Sequence, residues 1–223
     1  MACAAQVVSP RPLNVSTLGG IFRRLVPWVA GPVFLGLLLL GFLWLQKHPL
    51  EPRALIPFPG EFVLGVPQYL QSDPKWSADS LGETPGTLGG EGCAVTSAAM
   101  LLSYYGMDID PGRLNRFLTD HGGYEGTGWI RWESAADYSP GLVEKAYEDL
   151  PSHALIDWNL MRGNPVIVRV RLPDGITHFV VIVGKRWFEY LIRDPSPSGS
   201  GLVRPLSELG VPVEALRYYR RIR

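Results

Sequence analysis

The alternation of apolar and polar positions divides the chain into three stretches. The first is an apolar run without a charged residue, LVPWVAGPVFLGLLLLGFLWL, over 25–45. A bilayer core of roughly 30 Å takes about 20 apolar residues in a helix, and the run meets that length. Pro27 and Pro32 fall in its first half, where they bend a spanning helix without preventing it, and Trp28 and Trp44 stand near its ends as interfacial aromatics do. The run outlasts the about 7–15 apolar residues of a cleavable signal, and LWLQKHPLEP offers no small-x-small cleavage site. A single uncleaved transmembrane helix is therefore expected over 25–45, after a short N-terminal segment, 1–24. The second stretch, 46–62, is rich in proline and reads as an extended linker. The third, 63–223, carries the periodicity of a folded domain.

Within that domain the pattern changes from helical to extended. After the glycine-rich 82–92, Ala94, Ala98, Leu101, Leu102 and Tyr105 recur at helical spacing, and Gly106 is a natural stop. Cys93 then stands at the first turn of a buried helix. Asp110-Pro111 caps a second helix reaching to about 119, Ser139-Pro140 starts a third over GLVEKAYEDL, and a fourth covers 156–161. Strands are expected at PVIVRVRL (165–172), at THFVVIVG (177–184) after the turn Pro173-Asp174-Gly175, at FEYLIRD (188–194), and around 216–222. Helices followed by an antiparallel sheet make an α+β domain.

Charge adds an orientation and removes a function class. Arg11, Arg23 and Arg24 precede the apolar run, while Lys47 and Arg53 follow it with Glu51 between them. The positive-inside rule puts the N-terminus in the cytoplasm and the domain outside. Lysine plus arginine equal aspartate plus glutamate at 21 each, which gives no support for nucleic-acid binding. The C-terminal Arg217, Arg220, Arg221 and Arg223 read as a solvated strand or tail.

Two cysteines, Cys3 and Cys93, cannot build a disulfide framework, and neither sits in a Cys/His cluster with zinc spacing. With the expected topology they lie on opposite sides of the membrane. Cys93 is then the lone thiol of an exported domain, a liability unless it is buried or needed.

A cysteine nucleophile works as the thiolate, and a helix N-terminus favours that anion. An ordinary buried thiol fits the same position. The nucleophile needs a base, and there are four histidines. His48 adjoins the apolar run, His121 ends a helix, and His153 follows a proline in a loop. His178 begins an apolar strand directly after a tight turn. Asp194 ends the next expected strand, and adjacent antiparallel strands bring the start of one beside the end of the other. Asp194 is thus placed to orient the imidazole.

Together, the stretch from Val66 to Gly106 and the later GTGW, GNPVIVRV, THFVVIVG and IRDP resemble the peptidase family related to the double-glycine leader peptidases of bacteriocin exporters. That family belongs to the papain-like cysteine peptidases. The resemblance covers nearly all of residues 63–200 and keeps the order of the motifs. It implies Cys93 as nucleophile, His178 as base and Asp194 as third member. The family's oxyanion glutamine, in a VPxxxQ context, matches Gln71, with Gln68 as rival. It also implies an acyl-enzyme mechanism on a peptide or protein substrate, with no metal or organic cofactor. Leader peptidases are fused to a transporter that this sequence does not show, so double-glycine specificity is not carried over. Acyl transfer or amidase chemistry on the same fold, and a silent peptide-binding module, are the alternative readings. In GWIRWESAADY (128–138), Trp129, Trp132 and Tyr138 line a cleft or pack in the core.

Overall fold

A computed structural model of the 223-residue chain describes residues 31–41, 50–126, 128–197 and 202–222. The chain forms two compact units, Met1–His48 and Pro49–Arg223. In the first, residues 31–41 form helix α1, on which Val33, Phe34 and the leucines are exposed. The rest of the expected membrane helix over 25–45 lies outside the described residues. Among those described, no helix is long and apolar enough to cross a membrane.

The second unit is the expected α+β domain. Its sheet has the order β1 (Arg53–Val63), β4 (Thr177–Arg193), β3 (Val166–Arg171), β6 (Val213–Arg221), β2 (Val143–Asp149), with the short β5 (Arg204–Pro205) pairing with β4. All of these pairings are antiparallel. The helices are α2 (Leu88–Glu91), α3 (Cys93–Tyr104), α4 (Pro111–Asp120), α5 (Trp132–Ala136) and α6 (His153–Met161).

The central strands are apolar almost without alternation because both of their faces are covered. Ile167, Phe179, Val181 and Val183 join one core with α3, α4 and α5. Val166, Val168, Val180 and Ile182 join a second core with α6 on the other face. Helix α3 is buried along nearly its whole length. Its Ala98, Ala99 and Ser97 are small enough to let it approach β4 closely, and Gly106, at φ 100°, ends it as expected. Asp110 caps α4 by accepting from the Arg113 N–H at 2.8 Å.

Helix α5 was not expected, α6 begins at His153 rather than leaving it in a loop, and Arg217 is buried rather than solvated. Three larger differences concern the sheet. Residues 53–62 of the expected linker, with Val63, form β1, a largely exposed edge strand, and an edge is where a sheet tolerates Pro57 and Pro59. The helix expected over GLVEKAYEDL is strand β2. Its Glu, Lys and Ala favour a helix locally, but pairing of Val143–Asp149 with β6 overrides that preference.

The third difference is β4. Two strands were expected, over 177–184 and 188–194, and the chain forms one continuous strand. Fully extended, the sixteen steps from His178 to Asp194 would span about 50 Å. The two side chains nevertheless touch, so β4 doubles back about its middle. There Trp187 sits in the left-handed region, with φ 52°.

Gly184 lies against β1 at this bend, and a Cβ on it would meet the Phe62 carbonyl oxygen at 2.1 Å. Backbone atoms on both sides leave nothing flexible to yield. Gly184→Ala should destabilise the unit by about 2–3 kcal/mol, read as a lower urea midpoint at constant slope. An unchanged midpoint would show that β1 is not held in this register.

Candidate active site

Cys93 is set by the joint between two helices. Thr87 caps α2 by accepting from the Gly90 N–H at 3.2 Å, and α2 leads through Gly92 into α3. A side chain at position 92 would meet the Leu88 carbonyl oxygen at 2.3 Å, so only glycine permits this joint. Cys93 is the first residue of α3, where helical N–H groups lack intrahelical partners. One turn on, Ser97 Oγ donates to the Phe179 carbonyl at 3.2 Å. Cys93 and Ser97 share a helix face, and Phe179 follows His178, so this bond fixes the thiol beside the imidazole.

His178 Nε2 lies 2.8 Å from Asp194 Oδ1, and the two side chains are 8% and 1% exposed. That leaves Nδ1 for the Cys93 thiol, which lines the same cleft. Burial opposes charge on His178, but the hydrogen bonds with Asp194 and Cys93 outweigh it and raise its pKa from 6.5 to about 9. Burial likewise pushes the Asp194 carboxyl up. The hydrogen bond and charge of His178 and the Ser196 N–H, which donates to Oδ1 at 2.8 Å, hold it well below the usual carboxylate range. Asp194 Oδ2 accepts from Arg204 Nη2.

These groups open on a cleft of about 390 Å³ lined by Cys93, His178, Asp194, Gln71, Glu91 and Arg204, among others. Gln71 reaches the cleft and Gln68 does not. The Gln71 Nε2 donates to the Gly89 carbonyl at 2.9 Å and makes a longer contact, 3.4 Å, with that of Gly90. Gln68 Nε2 instead donates to the Asp194 carbonyl at 2.8 Å, while the Gln71 N–H donates to that of Pro195 at 2.8 Å. The VPQYLQ segment is thereby stitched to the end of β4. Of the three aromatics, Trp129 lines the cleft, Trp132 is buried in the core, and Tyr138 packs on Phe117. Among the described residues no group of His, Cys, Asp and Glu is arranged to hold a metal ion.

Sequence reasoning singled out the cysteine, histidine, aspartate and glutamine of this cleft. It missed Ser97 and Arg204. Ser97 looks like any small residue of a buried helix. Arg204 follows a Ser/Gly-rich tract that carries no motif.

The model of the peptidase C39-like family matches residues 63–213. No curated protein matches the chain. Among solved structures, the chain is similar to a crystal structure described as a C39-like peptidase from Bacillus anthracis. The two are 20% identical, the match covers 72% of this chain and 98% of that chain, and the TM-score is 0.48.

The shifts of the buried pair set a pH dependence of stability. The His178 pKa rises on folding, so its contribution is complete below 6.5 and is lost as the pH climbs through about 9. The Asp194 pKa falls on folding, so its contribution is present above 3.8 and is lost as the pH drops towards the folded value. Between about pH 6.5 and pH 9.5, wild type should lose roughly 1–3 kcal/mol more of its unfolding free energy than His178→Gln. Parallel curves would show that the pair does not hold the imidazole charged.

Proposed function

The chain belongs to the peptidase C39-like family, and on that premise we propose that it is a cysteine peptidase whose Cys93, His178 and Asp194 act as a catalytic triad. The observation that carries this reading is the convergence of the three side chains on one cleft, with His178 Nε2 2.8 Å from Asp194 Oδ1. His178 holds the thiol proton on Nδ1 as an imidazolium, and the Cys93 thiolate attacks the acyl carbon of a peptide or isopeptide bond. The developing oxyanion accepts from the Cys93 N–H and from Gln71 Nε2, whose weaker bond to the Gly90 carbonyl is the one exchanged. The imidazolium then protonates the leaving amine. Water, deprotonated by His178, attacks the thioester, and the acid leaves with the thiol restored. Throughout, Asp194 holds the imidazole in orientation. Transfer of the acyl group to an amine in place of water would use the same groups.

The uncharged run over 25–45 and the cations that precede it favour a single-pass anchor with this domain outside the cytoplasm. An alkaline phosphatase reporter fused to the C-terminus should be active in cells, whereas a fluorescent protein that folds only in the cytoplasm should stay dark when fused there. The converse pattern would reverse the orientation.

The triad is tested by labelling the full chain with a trace of iodoacetamide from pH 4 to pH 9, with the labelled residue mapped by mass spectrometry. Cys93 should react fast well below pH 8, and His178→Ala should slow that reaction at pH 6 about tenfold or more. Labelling that rises only near about pH 8.5, as for a free thiol, would sink the reading. Once a substrate is found, Gln71→Ala should lower kcat by about 10²–10³, as loss of an oxyanion donor does elsewhere, and Gln68→Ala should cost less.

A further inference from the structure

Arg204 has a place in the cleft that the triad does not account for. It lies on β5, which pairs with the returning half of β4 through Ile192 opposite Arg204, two residues before Asp194. Its guanidinium Nη2 reaches Asp194 Oδ2, and its side chain is 24% exposed on the cleft wall. Among the described residues, Asp194 is the carboxylate ion-paired with Arg204, and the Arg204 Nε is buried without a hydrogen-bond partner. The ion pair therefore holds no second element beyond the one that carries Asp194.

The two oxygens of Asp194 face different neighbours. Oδ1 accepts from His178 Nε2 and from the Ser196 N–H, and Oδ2 accepts from Arg204. The other polar and charged groups that line the cleft around the pair are Cys93 at the start of α3, Glu91 of α2, Gln71 and Thr177. Gln68 donates to the backbone carbonyls of Asp194 and Tyr69 and not to the carboxylate. In the proposed reaction His178 is charged while the thioester forms and neutral once the leaving amine has taken its proton. At that point a carboxylate 1% exposed would lose its counter-charge, and an unpaired buried charge is costly. Arg204 is the cation that stays, because a guanidinium keeps its proton at every working pH.

We propose that Arg204 is a positioning residue of the hydrolytic site, anchoring the Asp194 carboxylate so that Oδ1 stays on His178 in both charge states of the imidazole. This rests on the peptidase reading. A guanidinium fits better than an ammonium, since it can meet Oδ2 edge-on and fix the plane of the carboxylate.

The test is the pH profile of Cys93 alkylation in the full chain, compared among wild type, Arg204→Met, Arg204→Lys, Arg204→Gln and His178→Ala. Arg204→Met should move the acid limb up by about half a pH unit or more and slow labelling at pH 6 about fivefold. Arg204→Lys should restore at least half of that shift. Should Arg204→Met fail to fold by circular dichroism, Arg204→Gln supplies the uncharged variant, and it should shift the limb at least twice as far as Arg204→Lys. A His178-dependent wild-type profile that the uncharged variants leave unmoved overturns the inference alone. Equal shifts in the lysine and uncharged variants also overturn it, because they would mean a steric role. Coincident profiles for wild type and His178→Ala overturn the peptidase reading and this inference with it.

Discussion

Strand β4 has to leave the cleft and come back to it. His178 is the second residue of the strand and Asp194 follows its last, yet their side chains meet at 2.8 Å. Everything else in the second unit serves this return. β3 pairs along the outgoing half, β1 wraps the bend from Gly184 to Glu189, and β5 pairs with Leu191 and Ile192 on the way back. The edge strand β1 is mostly exposed and adds little to either core, so its main contribution is to complete the hydrogen bonding of the bend. Close approach at Gly184 lets the ribbon lie tight enough for the two ends to align.

The helical side reaches the same strand from the opposite direction. Ser97 ties α3 to Phe179, and the glycine joint at Gly92 sets where α3 begins, so the thiol arrives beside His178 through backbone geometry rather than through loop flexibility. Sites built on rigid elements hold their geometry better than sites built on loops. The segment from Val66 to Gln71 locks the third corner, with Gln68 on the Asp194 carbonyl and the Gln71 N–H on that of Pro195.

Electrostatics in the cleft follow from burying a carboxylate. Asp194 is almost wholly removed from water, and it stays anionic because an imidazole, a backbone N–H and a guanidinium share its two oxygens. That arrangement raises the basicity of His178 while denying Asp194 a proton, which is the division of labour an acyl-transfer site needs.

The sequence by itself determined the α+β class, the helix that begins at Cys93, the strand that carries His178 and the residue types of the candidate site. These depend on local order: helical spacing in AVTSAAMLLSYYG, a proline-glycine turn before an apolar strand, and motifs kept in sequence. Tertiary structure decided the rest. It made a strand of Val143–Asp149 against its helical composition, because β6 offered a ladder that outweighed a weak local preference. It drew the proline-rich 53–63 into the sheet, because an edge strand needs few of its own N–H groups. It also brought Ser97, Gln68 and Arg204 to the site. Their roles depend on partners many residues away, and a contact across such a distance leaves no periodicity in the chain.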